Sequence, residues 1–122
     1  MAAQPKIDRR SRTEKIAFLN DRARHGLDRL AKIMFTTDLL AELSGGKPGE
    51  DLLAQARVMR AMRQCEFTAD SPERDMAWFE VGDVKVMMKI DYFDPSYEWG
   101  SDDPADGKIG RASCRERVST SV

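Results

Sequence analysis

Histidine is almost missing from this sequence: His25 stands alone among 122 residues. A histidine-based catalytic triad or a multi-histidine metal site is therefore excluded. Cysteine is nearly as scarce, with Cys65 and Cys114 only, and no CxxC pair occurs. No apolar run approaches the ~20 residues that a membrane-spanning helix needs, so no membrane association is expected. The polar opening Met1-Ala2-Ala3-Gln4-Pro5 lacks the apolar core of a secretory signal. Reduced thiols and a cytoplasmic location are the corresponding expectations. Gly45-Gly46-Lys47 lacks the upstream glycine and the preceding strand of a phosphate-binding loop, and no serine nucleophile motif is present. No cofactor is expected, and the balance leans against an enzyme.

Charge is plentiful but unevenly spread. The net charge of −1 conceals nine basic and four acidic residues over 1–32, against three basic and eleven acidic over 70–107. A solvated surface whose oppositely charged ends attract each other accounts for this more simply than a basic arm on nucleic acid. Direct nucleic-acid binding is not expected.

Periodicity and capping signals outline one α+β domain over 11–107, preceded by a disordered N-terminus at 1–10. Ser11-Arg12-Thr13-Glu14 forms a capping box. The stripe Ile16, Leu19, Ala23, Leu27, Leu30 marks a helix that Gly26 would cap near His25. His25, at that helix end, is placed where a cation is favourable. Lys32–Thr36 reads as a short strand. Thr37 would cap a helix over 38–43. After a Gly/Pro loop, Leu52, Ala56, Met59 and Met62 keep helical spacing to about Gln64.

The clearest element is a hairpin, Met76–Val81 and Val84–Tyr92 around Gly82-Asp83. The expected register sets Val81 opposite Val84, Phe79 opposite Val86 and Ala77 opposite Met88 on a core face. Glu80–Lys85, Trp78–Met87 and Met76–Lys89 then share the other face, where opposite charges meet across the strands. Two-residue turns of this kind often need positive φ at both central positions. The hairpin is expected to join the short strand in a small antiparallel or mixed sheet. Ser101 or Asp103-Pro104 would start a further helix.

Residues 109–118, Ile-Gly-Arg-Ala-Ser-Cys-Arg-Glu-Arg-Val, resemble one reading frame of a common short-read sequencing adapter. The segment has no apolar stripe of either period and only two large aliphatics, Ile109 and Val118. It is therefore expected to lie outside the fold and to be dispensable, leaving a native part of net charge −4. On that view Cys114 is not native, and Cys65 is a core-filling thiol.

Lys15–Asp21, Phe79-Glu80-Val81-Gly82, Lys89-Ile90-Asp91-Tyr92-Phe93-Asp94 and Gly100–Asp106 resemble domain-of-unknown-function family 3768, over roughly residues 13–107. The resemblance implies a small bacterial protein of the kind met on plasmids and other mobile elements, and it carries no established activity, cofactor or catalytic residue. Family members carry aromatics near Met87 and Met88 and continue into an amphipathic C-terminal helix. Its absence here implies a truncated copy.

Candidate chemistry reduces to one place. Lys89 and Asp91 lie two apart and so share the mixed face of the hairpin with Trp78; Asp94 follows directly. A lysine, carboxylates and an aromatic there form a candidate face for a ligand or a protein partner, against the simpler reading of a surface ion pair beside a partly covered tryptophan. Asp75, Asp83 and Lys85 mimic a nuclease pattern, but the two acids belong to opposite ends of the hairpin. The acids over 91–106 lack the spacing of a calcium loop. The reading that follows is a non-enzymatic accessory or interaction protein of mobile DNA. The alternatives are a metal-assisted hydrolase using carboxylates near Asp91, and an acidic mimic of nucleic acid.

Overall fold

The computed structural model describes residues 10–118; all but the last residue of the N-terminal segment expected to be disordered lies outside them. Three helices and a four-stranded mixed sheet make an α+β fold. Helix α1 (Arg12–Arg24) starts at Ser11, whose hydroxyl accepts from the Glu14 amide at 3.2 Å. It stops at His25, before Gly26 with φ 76°. Strand β1 (Lys32–Phe35) follows. Helix α2 (Thr37–Ser44) is capped by Thr36, one residue earlier than the pattern suggests, and ends on left-handed Gly45. Helix α3 spans Asp51–Gln64.

The hairpin of β2 (Met76–Val81) and β3 (Val84–Phe93) has the expected register at every pair, from Met76–Lys89 to Val81–Val84. Its turn differs in one respect. Only Gly82 has positive φ, 59°, and Asp83 does not. One left-handed residue is enough here because glycine occupies the first central position.

Residues 110–117 hold the main correction. Expected to lie outside the domain, they form β4 (Gly110–Arg117), an interior strand in the order β1-β4-β3-β2. It runs parallel to β1, with Lys32 opposite Ala112, and antiparallel to β3, with Ile90 opposite Ser113. The hairpin thus never touches β1 directly. Backbone pairing explains the placement: between β1 and β3 two rows of N–H and C=O groups require partners, whatever side chains supply them. The segment after Asp94 is a series of turns ending at Ile109, without the helix expected from Pro104.

All three helices pack on one sheet face. Leu39, Val58, Val81 and Val86 form one core cluster, and Met62, Ala77, Met88 and Ile90 a second. The helical stripes differ from those read in sequence. In α1 the buried row is Ile16, Ala17, Asn20, Ala23 and Arg24, while Leu27 and Leu30 lie beyond the helix and are exposed. In α3 it is Ala54, Val58 and Met62, leaving Leu52 and Leu53 outside. Together with Ile33, Phe35, Ala56 and Met59 these leucines line an open apolar groove beside β1. No described helix is long and apolar enough to cross a membrane.

Candidate functional site

Alternation along the strands divides the sheet into two surfaces. The helices cover Ala77, Phe79, Val81, Val86, Met88 and Ile90. The opposite surface carries Met76, Trp78 and Glu80 from β2, Lys85, Met87, Lys89 and Asp91 from β3, and Met34 from β1. Among the described residues no element packs over its centre. Trp78 is 60% exposed and Met34 50%.

Trp78 stands across from Met87, which sets Lys89 on the diagonal beside it. Lys89 Nζ lies 3.5 Å from Asp91 Oδ1, with both side chains about half exposed. Such a pair contributes at most about 1 kcal/mol. The structure thus brings Trp78, Lys89 and Asp91 onto one face, as alternation requires. Asp94 is elsewhere. Level with Trp78 on β3 is Met87, and seven residues at ~3.3 Å each put Asp94 on the order of 20 Å away. Its carboxylate closes the turn over 94–99, accepting from Ser96 Oγ at 3.0 Å and from the Glu98 and Trp99 amides at 3.0 and 3.4 Å. Loss of hydration raises its proton affinity. The bonds from Ser96 and the Trp99, Glu98 and Tyr97 amides outweigh this and hold the carboxyl below its ordinary value.

The acids over 91–106 do not meet. Asp91 pairs with Lys89, Asp103 with Arg12 at 3.0 Å, and Asp106 accepts from the Lys108 amide. The Arg12–Asp103 pair joins the basic and acidic ends of the sequence, as their charges suggest. Among the described residues no three His, Cys, Asp or Glu side chains are grouped so as to hold a metal ion.

His25 departs from its expected role. Burial, followed by the like charge of Arg24, holds the imidazole below its ordinary value despite Asp21. It is not the favoured cation its helix position implies. Both thiols are pushed up by burial, Cys65 beside the second core cluster and Cys114 on β4 opposite Lys89.

A buried polar network escaped the sequence reading. Arg111, fully buried, donates from Nε to Asn20 Oδ1 at 3.1 Å and from Nη1 to the Asp106 carbonyl at 3.0 Å; Nη2 reaches the Pro104 carbonyl. Asn20 Nδ2 lies within hydrogen-bonding distance of Tyr92 Oη, 2.9 Å, and of the Glu73 carbonyl, 3.0 Å. This ties α1, β3, β4 and two loops together. Asn20, four residues after Ile16 on a buried stripe, is the one member that pattern alone points to. Arg115 is also fully buried but poorly matched: Nη2 donates to the Arg24 carbonyl at 3.0 Å, Nη1 faces Met59 Sδ at 2.9 Å, and Nε has no hydrogen-bond partner. Burial, and then Arg24, lower its pKa to about 10.

Residues 36–115 match the family described as "Protein of unknown function (DUF3768)". The chain belongs to this family. The match takes in α2, α3, β2 and β3, most of β4, and all of Trp78, Lys89, Asp91 and Asp94. No curated protein sequence and no solved structure matches the chain.

Proposed function

We propose that this member of the DUF3768 family is a non-enzymatic accessory protein of bacterial mobile DNA, acting in the cytoplasm by docking a protein partner on the outer sheet surface around Trp78. The observation that carries the reading is the uncovered surface itself. It offers a large exposed aromatic beside Met76 and Met87, rimmed by Glu80, Lys85, Lys89 and Asp91. Exposed aromatics and methionine ringed by charge suit recognition of a protein surface. The dispersed acids favour this over metal-assisted hydrolysis, which needs carboxylates converging on one ion.

The test begins with the full chain as bait in an extract of a bacterium that carries the gene. A stoichiometric partner should be recovered and identified by mass, and Trp78→Ala should lose it. In the purified complex, amide exchange should slow along β2 and β3. Protection confined to α2 and α3 would overturn the reading. So would a Mg²⁺-dependent hydrolysis abolished by Asp91→Asn, which would install the hydrolase in its place.

A further inference from the structure

β2 ends the sheet, and its outer side has no strand partner among the described residues. The Ile90 amide donates to the Asp75 carbonyl at 2.8 Å. In an antiparallel ladder this makes Asp75, Ala77, Phe79 and Val81 the residues bonded to β3. The backbone groups of Met76, Trp78 and Glu80 therefore point away from the sheet. Ser71 Oγ accepts from the Met76 amide at 3.4 Å. The amides and carbonyls of Trp78 and Glu80 face outward. Exposed edges are usually blunted by proline, lysine, a bulge or shortness. The other edge, β1, has four residues and begins with a lysine. β2 has six residues, none of them proline or lysine, and no bulge interrupts its pairing.

Two clefts lie along this edge on either side of Trp78. One, of about 320 Å³, is lined by Trp78, Glu80 and Lys85. The other, of about 400 Å³, is lined by Asp70, Ser71, Asp75, Met76 and Trp78. Their charged groups are three carboxylates against one lysine. The neighbouring Arg74 is held by Asp21 in a two-pronged pair at 2.8 Å and does not offset them. Unpaired backbone donors and acceptors recognise an extended chain, and flanking clefts select its alternate side chains. A second copy of this chain would bring the same three carboxylates to the seam, where like charges oppose pairing.

We infer that β2 takes up, as a fifth strand, an extended peptide bearing lysine or arginine at alternate positions. The inference rests on the docking surface proposed above and names the chemistry of its partner.

The test titrates the full chain with the synthetic peptide Thr-Lys-Val-Lys-Val-Lys-Thr, its glutamate counterpart, and a lysine version N-methylated on the amides that would face β2. The lysine peptide should bind saturably below about a millimolar. It should slow amide exchange at Trp78 and Glu80. N-methylation should weaken binding at least tenfold. Asp70→Asn/Asp75→Asn/Glu80→Gln should weaken it similarly and flatten its salt dependence. Because N-methylation alters only the peptide, this arm holds even if the triple variant fails to fold. Equal binding of the glutamate peptide, indifference to N-methylation, or no saturable binding would each overturn the inference. If the partner recovered from extract protects Met87, Lys89 and Asp91 but leaves the β2 edge exchanging freely, the outer surface stands and the edge inference falls. If neither region is protected, both fall.

Discussion

Two arginines on one strand make opposite demands of their surroundings. Arg111 satisfies Asn20 and two loop carbonyls, and its removal leaves the buried Asn20 oxygen without its donor. Arg111→Leu should destabilise by about 2 kcal/mol or more. Arg115 offers its charge to a thioether and to the neighbourhood of Arg24. Arg115→Leu forfeits the hydrogen bond to the Arg24 carbonyl and the weaker contacts with Met59 and the Phe35 ring, about 1–2 kcal/mol together, but relieves a buried cation that has no carboxylate partner, which outweighs them. A net gain of about 1–3 kcal/mol is expected. Denaturant unfolding of the two variants checks both signs. His25 adds a pH effect. Its folded pKa lies below the unfolded value near 6.5, so the unfolded chain takes up the proton first. The contribution is fully present above that value, begins to fade as pH falls through it, and is lost below the folded pKa. The fall in melting temperature between pH 7.5 and 5.5 should be smaller in His25→Gln than in the wild type. Neither the arginines' burial nor the histidine's depressed pKa is legible from a residue type and its helix position, because both arise from contacts across the chain.

Local chemistry was most readable where neighbours in sequence are neighbours in space. The hairpin register, the Ser11 cap and the stop at His25 follow from alternation, a hydroxyl and a glycine. Gly82 carries the hairpin's only positive φ, and a Cβ there would lie 3.3 Å from Arg57 Nη2. Since that atom ends a flexible side chain, backbone strain dominates. Gly82→Ala should cost about 1–2 kcal/mol. Thermal unfolding with an unchanged amide pattern in β3 would confirm a local effect. The helical stripes were less readable, because their inner faces carry Asn20, Arg24 and small alanines while Leu52 and Leu53 face outward. Asn20 is held by β3, β4 and a loop, and Arg24 lies over Phe67 beyond α3, contacts out of reach of a periodicity count. The candidate face was legible in part. Alternation puts Trp78, Lys89 and Asp91 together. Asp94's absorption into its own turn depends on the chain reversing after Phe93.

For the molecule as a whole, β4 decides whether there is one sheet or a hairpin and a stray strand. No hydrophobic pattern announces it; Arg111, Ser113 and Arg115 occupy positions where an interior strand ordinarily buries aliphatics. Deleting residues 108–122 removes the one strand that pairs with β1 among the described residues and opens the β3 edge. Cooperative unfolding should be lost, whereas a tail lying outside the domain would leave the melting curve unchanged. Calorimetry of the shortened chain separates the two outcomes.

That interior position also governs the order of events during synthesis. Lys32 must find Ala112, eighty residues further along the chain. Until then β1 has no strand to join and β3 shows a bare edge to solvent. The hairpin and helices can gather as they leave the ribosome, but the sheet cannot be completed before residue 117 emerges. Contacts this distant slow folding, and an open edge meanwhile invites other nascent chains. Slowing translation upstream of residue 110 should therefore prolong the interval in which aggregation competes with folding, whereas the completed protein exposes no edge at β3.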